Sequence, residues 1–246
     1  MQQILEKISK IDEIKSLYKV NYKELKQSNN FWKKTLDILK INYIAENVAN
    51  IPKEGSSIIV ANHPFGLLDG LIICSIICDI RQDYKILINE ELSQIDQIRE
   101  YLLPIKFSKF TEDIKKNIIS KKKAIEHLNA NGILITFPSG EVATSSFIFN
   151  EANERRWKPL IGSIINKTKA EIIPVRFFGK NSLFFQTVGF INNNFRRILF
   201  IRELIIKAKK NRKKITVEID NLNQLKKILD LKFKGIIFMN YLEIRR

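Results

Sequence analysis

The sequence predicts an α/β domain in which helices flank a largely parallel central sheet. Short runs of β-branched residues alternate with longer segments of helical periodicity, which is the pattern of repeated strand–helix units. The length of 246 residues fits one domain of this class, and a hydrophobic content of 45% is enough to fill its core. Polar turns follow the buried runs, and in open α/β sheets ligands bind at such turns.

The first 50 residues are predicted to form amphipathic helices that precede the α/β domain of residues 51–246. Between Ile4 and Leu17, apolar residues recur at helical spacing with Lys and Glu between them. Residues 31–44 predict a second helix that is both basic and aromatic. A helix of this composition lies in a bilayer interface or packs on the domain, and the sequence leaves both alternatives open.

Strands and helices alternate through the rest of the chain. The predicted strands are 58–61, 85–88, 133–137, 172–178 and 215–219, with a short extended piece at 105–107, and the predicted helices are 71–80, 90–102, 112–131, 154–168 and 222–241. Pro174 lacks a backbone N–H, so its strand is expected at an edge of the sheet or at a bulge.

The chain is strongly basic, with 42 Lys and Arg against 26 Asp and Glu and a net charge of +16. Such a protein is expected to meet a polyanion, which could be nucleic acid, an anionic membrane surface or an acidic carrier protein. No stretch reaches the roughly 18 uncharged apolar residues of a transmembrane helix, and the N-terminus lacks the apolar centre of a signal peptide. Membrane contact is therefore expected to be peripheral.

The two cysteines, Cys74 and Cys78, lie four residues apart and share one face of the predicted helix 71–80. There is no second Cys pair and His is scarce, so the sequence predicts no metal site. Both thiols are expected to be reduced core residues of a cytosolic protein.

The turn after strand 58–61 carries the candidate catalytic residues. His63 follows the strand, and Asp69 lies just before the next predicted helix. A helix N-terminus nearby disfavours a protonated imidazole, which leaves a neutral base near pH 7. Asp69 could bind the second ring nitrogen and so fix the tautomer. The alternatives are a hydrogen-bonded loop histidine and an aspartate that only caps the helix.

The turn after the predicted strand 133–137 carries a second carboxylate, Glu141. The ordered series of motifs is Asn62-His63 with Asp69, then Phe137-Pro138-Ser139-Gly140-Glu141, then Ile172-Ile173-Pro174-Val175. This series resembles the glycerophospholipid acyltransferase family of the lysophosphatidic-acid type, and in particular its hemolysin-like, lyso-aminolipid branch. The resemblance covers roughly residues 31–219.

The sequence departs from the family's usual motifs at two places. Five residues separate His63 from Asp69, one more than usual, and the Pro/Gly turn between them can absorb the extra residue as a bulge. In the third motif, Val142 occupies the position of the family's phosphate-binding arginine, and Ser139 that of its glutamate, so that Glu141 is displaced. These changes favour a zwitterionic or amino-acid head group over a bare phosphate.

The resemblance implies an enzyme that moves a fatty acyl group from an acyl thioester to the hydroxyl of a lysolipid in membrane lipid biosynthesis. His63 would be the general base and Asp69 would orient it, without an acyl-enzyme, because no Ser or Cys nucleophile stands beside the histidine. Main-chain N–H groups in the Gly66 or Gly140 turns are candidates for the oxyanion. The candidate substrate-binding residues are Asn62, Phe65, Gly66, Lys106, Pro138, Ser139, Gly140, Glu141 and Arg176. Lys106 and Arg176 would supply the compensating cations if the acceptor carries a phosphate after all, and the alternative for each is a surface or structural charge.

The expected partners follow from this chemistry. No cofactor is implied beyond the co-substrate, which would be acyl-acyl carrier protein or acyl-coenzyme A, and the acceptor would be a lysolipid. Residues 184–214 combine Phe with dense Arg and Lys, which suits an anionic membrane surface at the cytoplasmic face of the inner membrane, an acidic carrier protein, or simply a solvated face.

Two other functions compete with the enzyme. A basic nucleic-acid-binding protein fits the charge, but the chain lacks a recognition motif, so no nucleic acid is expected. A non-catalytic lipid-binding member of the same fold would keep the architecture without the chemistry.

Overall fold

The computed structural model describes residues 10–90, 95–106, 110–145, 152–154, 157–191, 193–210 and 214–220. Their strands, in chain order, are Tyr43–Glu46 (β1), Ser57–Ala61 (β2), Tyr84–Asn89 (β3), Leu102–Ile105 (β4), Ile133–Thr136 (β5), Thr144–Ser145 (β6), Ala152–Asn153 (β7), Glu171–Phe177 (β8) and Ile215–Ile219 (β9). Seven of these described strands form one sheet in the order β1-β9-β8-β2-β5-β3-β4, and β6 pairs with β7 in a separate hairpin.

The sheet is parallel at every pairing except that of β8 with β9. This confirms the predicted α/β class with a largely parallel sheet. Strand β2 is buried along its whole length and lies between β8 and β5. Because parallel strands end at the same edge of a sheet, the turns that follow β2, β5 and β8 come together there.

Helices cover both faces of the sheet. The described helices are Ile11–Val20 (α1), Tyr22–Gln27 (α2), Phe31–Ile38 (α3), Leu67–Ile80 (α4), Thr111–Asn129 (α5), Pro159–Lys167 (α6), Leu183–Ile191 (α7) and Asn193–Lys210 (α8), with 3₁₀ turns at Val48–Asn50 and Asp96–Tyr101. Helix α4 packs with the β2 residues Ile59 and Ala61, whereas α5 and α6 pack on the opposite face with Ile58 and Val60. Cys74 and Cys78 are free and buried within α4.

The aromatic side of α3 packs on the domain. Phe31, Trp32 and Leu36 are buried in the same core as α4. The Trp32 indole N–H donates to the Tyr84 hydroxyl at 2.6 Å. Within the described residues, no helix combines the length and apolar character needed to cross a bilayer.

Several predicted boundaries were wrong. The helix predicted over 31–44 ends at Ile38, and Lys40 takes a left-handed conformation (φ 53°), which turns the chain into β1. The helix predicted over 90–102 contains a 3₁₀ segment, Asp96–Tyr101, and the chain enters β4 at Leu102. The predicted helix 222–241 and the start of the first predicted helix lie outside the described residues.

Pro174 lies in an interior strand, not at an edge or a bulge as predicted. Its carbonyl accepts from the N–H of Asp220, so its missing N–H would also face the β9 side. The β8–β9 ladder pairs only Val175, Arg176 and Phe177, so Pro174 lies beyond its end. An interior strand accommodates this proline because no neighbouring strand requires the donor that it lacks.

Candidate active site

The peptide of His63 is held from two sides just beyond the end of β2. Its carbonyl accepts from the Ala143 N–H at 2.9 Å. Its N–H donates to Oε1 of Glu154 at 2.8 Å. The neighbouring Asn62 side chain bonds both ways with the Phe177 main chain, at 2.9 Å as donor and 2.6 Å as acceptor. The histidine is therefore fixed by segments that follow β5 and β8.

The imidazole of His63 and the carboxylate of Asp69 meet across the turn. Nδ1 lies 3.0 Å from Oδ2, and Asp69 is completely buried, whereas the His63 side chain keeps 18% of its surface exposed. The contact is close but off the axis of the ring N–H, so Nδ1 makes no hydrogen bond of good geometry. Since Nδ1 faces Asp69, the other ring nitrogen is the one left for a substrate, and catalytic contacts of this kind often tighten only when substrate binds.

Asp69 is held by the first turn of α4. Its Oδ2 accepts from the main-chain N–H groups of Phe65 (2.8 Å) and Gly66 (2.9 Å). Burial raises the pKa of Asp69, and the contact with His63 and the two main-chain donors act against that rise. The carboxyl group is thus both a helix cap and the partner of the histidine, so the two roles that the sequence left as alternatives occur together.

The turn after β5 forms the other wall of the site. The ring of Phe137 stacks on the His63 imidazole, with centroids 4.1 Å apart and planes 27° apart. Ser139 is fully buried, and its hydroxyl donates to the Glu141 carbonyl at 2.9 Å. Gly140 has a positive φ of 67° and closes the turn. Glu141 is partly exposed, and its carboxylate lies 3.9 Å from the Lys158 ammonium.

Glu154 is the site residue that the sequence analysis missed. It follows the β6–β7 hairpin, and besides the His63 N–H its Oε1 lies within 3.3 Å of the Ser139 hydroxyl. Burial raises the pKa of Glu154 to about 7, although the nearby His63 and its N–H oppose the rise. A carboxyl group so perturbed beside a candidate base is typical of functional sites, and its contact with the His63 main chain places it at this one. No local sequence motif predicts Glu154 as a site residue, because only the β6–β7 hairpin returns this part of the chain to His63.

Other predicted residues around the site are engaged within the protein. Phe65 is buried, and a Cβ on Gly179 would come within 2.7 Å of its ring. The Lys207 ammonium lies 4.1 Å from the centre of the same ring. Pro138 accepts a hydrogen bond from the Lys158 N–H at 2.9 Å. These contacts shape the wall around the histidine.

The two predicted phosphate-binding cations are placed differently. Lys106 follows β4, three strands from β2 and therefore about 14 Å away at the usual strand spacing. Its ammonium lies 3.4 Å from Asp113. Arg176 lies on β8, the neighbour of β2, and its guanidinium stands over the Phe178 ring at 4.7 Å. The structure does not bring Lys106 together with His63.

The predicted oxyanion donors are already engaged. The Gly66 N–H donates to Asp69, and the Gly140 N–H donates to the Phe137 carbonyl at 2.9 Å. A cavity of about 400 Å³ among the described residues lies elsewhere, between α2 and the Asp96–Tyr101 turn, and does not touch His63. The imidazole is reached from the surface rather than through that cavity.

Comparison with known proteins identifies the family. A family model described as "Acyltransferase" matches residues 4–211. The chain belongs to this acyltransferase family, which confirms the resemblance drawn from the motifs.

Two relatives are both named lyso-glycine lipid O-acyltransferase. The protein from Bacteroides thetaiotaomicron is 27% identical over 190 residues, which are 75% of this chain and 65% of the relative. The protein from Phocaeicola vulgatus is 24% identical over 172 residues, which are 67% of this chain and 59% of the relative. The chain thus spans less than two thirds of the length of either. A crystal structure of the 1-acyl-sn-glycerophosphate acyltransferase PlsC from Thermotoga maritima aligns with a TM-score of 0.48 and 20% identity, covering 89% of this chain and 76% of that one.

Proposed function

We propose that this chain transfers a fatty acyl group from an acyl thioester to the hydroxyl of a lysolipid, with His63 as the general base. The contact of His63 with buried Asp69 at the carboxyl edge of the sheet, in a chain of the acyltransferase family, is the observation that carries the proposal. The names of the two relatives, as O-acyltransferases of a lyso-lipid, support a hydroxyl acceptor.

The chemistry needs one proton acceptor in the right place. As the acceptor oxygen attacks the thioester carbonyl, the outward nitrogen of His63 takes its proton; the C–O bond forms, the C–S bond breaks, and the imidazolium returns the proton to the thiolate. General-base help of this kind contributes about 10²–10⁴-fold to the rate. The Asp69 carboxylate stabilises the imidazolium and holds its ring.

The turn after β5 supports an acceptor without a bare phosphate. Val142, at the position of the family's phosphate-binding arginine, is buried against Phe185 and Leu199, so it presents an apolar group where a cation would be needed. Glu141 adds a carboxylate to the same wall and pairs with Lys158. An amino-acid head group, as in lyso-aminolipids, suits this wall better than lysophosphatidic acid.

The surface near the site supports peripheral contact with an anionic membrane, at the cytoplasmic face of the inner membrane. Phe178, Leu183 and Phe184 are 39–50% exposed and follow β8, the strand next to β2. The guanidinium of Arg202 stands 4.3 Å from the centre of the Phe184 ring. Exposed aromatic groups beside arginines fit the interface of an anionic leaflet, where each basic residue contributes about 1 kcal/mol.

The activity is tested with acyl-acyl carrier protein and acyl-coenzyme A thioesters against a panel of lysolipids, with products detected by mass spectrometry. Since the sequence has two histidines, His127→Gln is the matched control for His63→Ala. We expect an acylated product from the wild type and the control, and a loss of about 10²-fold or more in His63→Ala.

Each outcome has a distinct meaning. Undiminished product in His63→Ala would refute the role of His63 as general base. No product from the wild type would favour a non-catalytic lipid-binding protein. A preference for lysophosphatidic acid over lyso-aminolipids would refute the head-group assignment alone.

Membrane binding is tested separately by co-sedimentation with phosphatidylglycerol-containing vesicles. The double variant Leu183→Ser/Phe184→Ser should co-sediment less than the wild type, while Val20→Ser, at another exposed apolar site, should not differ from the wild type. Equal vesicle binding by the double variant and by Val20→Ser would refute the role of this surface in membrane contact.

A further inference from the structure

We propose that Glu154 is a positioning residue for His63, whose carboxyl group holds the main chain of the base and links it to the turn after β5. This inference rests on the proposed function, because it gives the residue a part in the same reaction. It adds to the His–Asp pair a second carboxyl group that acts on the peptide of the histidine and not on its ring.

The first support is where the His63 N–H goes. Strand β2 ends at Ala61, so no ladder partner receives this N–H, and a donor left unpaired there would be costly. Glu154, 91 residues further along, supplies the acceptor at 2.8 Å. With the His63 carbonyl bound by the Ala143 N–H, both groups of this residue's main chain are fixed by the segment that follows β5.

The second support is the link through Ser139. Its hydroxyl has one proton and two acceptors in reach, the Glu141 carbonyl at 2.9 Å and Oε1 of Glu154 at 3.3 Å. Ser139 is fully buried, so its hydroxyl lies out of contact with bulk water. A movement of the turn that carries Glu141 is therefore transmitted to Glu154 and, through it, to His63.

The third support is the second oxygen of the Glu154 carboxyl group, which lacks a hydrogen-bond partner among the described residues. Among the described residues, Oε2 of Glu154 is buried without a hydrogen-bond partner, and so is the indole nitrogen of Trp157. The described groups that face Glu154 are the His63 N–H and imidazole, the Ser139 hydroxyl and the Trp157 indole. Burial raises the pKa of the Glu154 carboxyl group to about 7, and the neighbouring His63 imidazole and N–H oppose that rise.

Two substitutions separate the hydrogen bond from the charge. Glu154→Ala removes the acceptor for the His63 N–H, whereas Glu154→Gln keeps an oxygen there and removes the ionisation. Glu171→Gln, at an exposed side chain at the start of β8, is the matched control. We expect Glu154→Ala to lower kcat about 100-fold with little change in KM, as a misplaced catalytic group does. Glu154→Gln should retain more activity than Glu154→Ala and should lose an ionisation near pH 7 from the pH profile of kcat.

A measurement without substrate tests the contact itself. Labelling with ¹⁵N-histidine gives two amide signals, because the sequence has two histidines, and His127→Gln assigns them. The His63 amide proton should move upfield in Glu154→Ala and stay in place in the control. In Glu154→Gln it should lie near the position that the wild type shows below pH 7, where Glu154 is protonated. In the wild type it should also move with pH near 7 as Glu154 ionises, and this movement should be absent in Glu154→Gln.

The results distinguish the two proposals. Wild-type kcat in Glu154→Ala, or an unmoved His63 amide signal in that variant, would overturn the positioning role even if acyl transfer is confirmed. Absence of acyl transfer in the wild type would overturn the proposed function. The amide measurement would then test only whether Glu154 binds the His63 N–H. If Glu154→Ala fails to fold, the pH dependence of the His63 amide in Glu154→Gln decides instead.

Discussion

Two substitutions of Asp69 should distinguish its role in stabilising the turn after β2 from its role as the partner of His63. The carboxyl group is completely buried, and one oxygen accepts from the N–H groups of Phe65 and Gly66 while lying 3.0 Å from Nδ1 of His63. Asp69→Asn retains an oxygen for the two main-chain donors. Asp69→Ala leaves both donors without an acceptor in the core.

The expected magnitudes follow from this difference. Each buried N–H that loses its partner costs about 1–3 kcal/mol, so Asp69→Ala should lower the free energy of unfolding by about 2–6 kcal/mol. That is a large part of the about 5–15 kcal/mol of a typical domain. Asp69→Asn should cost clearly less, because both donors stay bound and the buried negative charge, which burial disfavours, is removed. Both variants lose the carboxylate that stabilises an imidazolium, and activity should fall by about 10²–10⁴-fold.

Urea unfolding followed by circular dichroism gives the stabilities, and the thioester assay gives the activities. Equal destabilisation by Ala and Asn would show that the two main-chain contacts do not stabilise the turn. An Asp69→Asn enzyme with near-wild-type kcat would show that the carboxylate does not assist His63.

Three further predictions concern the stability of the fold. Gly70→Ala should stabilise the protein by about 0.5–1 kcal/mol in urea unfolding, because a Cβ there meets no atom within 4 Å in α4, and a destabilisation would contradict this. Asn62→Ala should cost about 1–3 kcal/mol, since it removes the acceptor of the buried Phe177 N–H, and an unchanged urea midpoint would refute that role. Burial lowers the pKa of His127, whose Nε2 lies 3.1 Å from the Ile133 carbonyl. Its neutral form therefore stabilises the fold above its ordinary pKa of about 6.5, and this contribution is lost as the pH falls below that value. His127→Gln should accordingly lose less stability than the wild type between pH 7 and pH 5, and parallel curves would contradict the assignment.

The sequence predicted the elements whose signal is local. The runs predicted at 58–61, 133–137 and 215–219 fall on β2, β5 and β9, although β5 ends one residue early, at Thr136. A buried strand needs only a short apolar segment bounded by turn residues. The turn with His63 and Asp69 was also local, since both residues lie within one junction and their contact follows from its geometry. The environment of His127, by contrast, is not local: the side chain is half-buried, and only the fold brings the Ile133 carbonyl to its ring.

What the sequence missed depends on distant contacts. The helix predicted over 31–44 runs past Lys40, but Lys40 turns the chain out of the helix, and residues 43–46 pair with β9 in the sheet. Pro174 is accepted in an interior strand only because the β9 ladder stops before it. Glu154 belongs to the site only because the β6–β7 hairpin reverses the chain. None of these facts has a signature within a window of a few residues.

The extra residue between His63 and Asp69 shows how the turn preserves the contact. Asp69 lies in the first turn of α4, and its Oδ2 draws the Gly66 N–H to 2.9 Å, which closes the loop tightly around the carboxylate. Gly66 reaches this closure with φ of 75°, a conformation that L side chains rarely adopt, and a Cβ there would also come within 3.1 Å of the Val142 side chain. The longer spacing is accommodated here by a glycine in a conformation that favours glycine, and Gly66→Ala should move His63 away from Asp69. A crystal structure of that variant with the contact unchanged would show that the turn does not depend on the glycine.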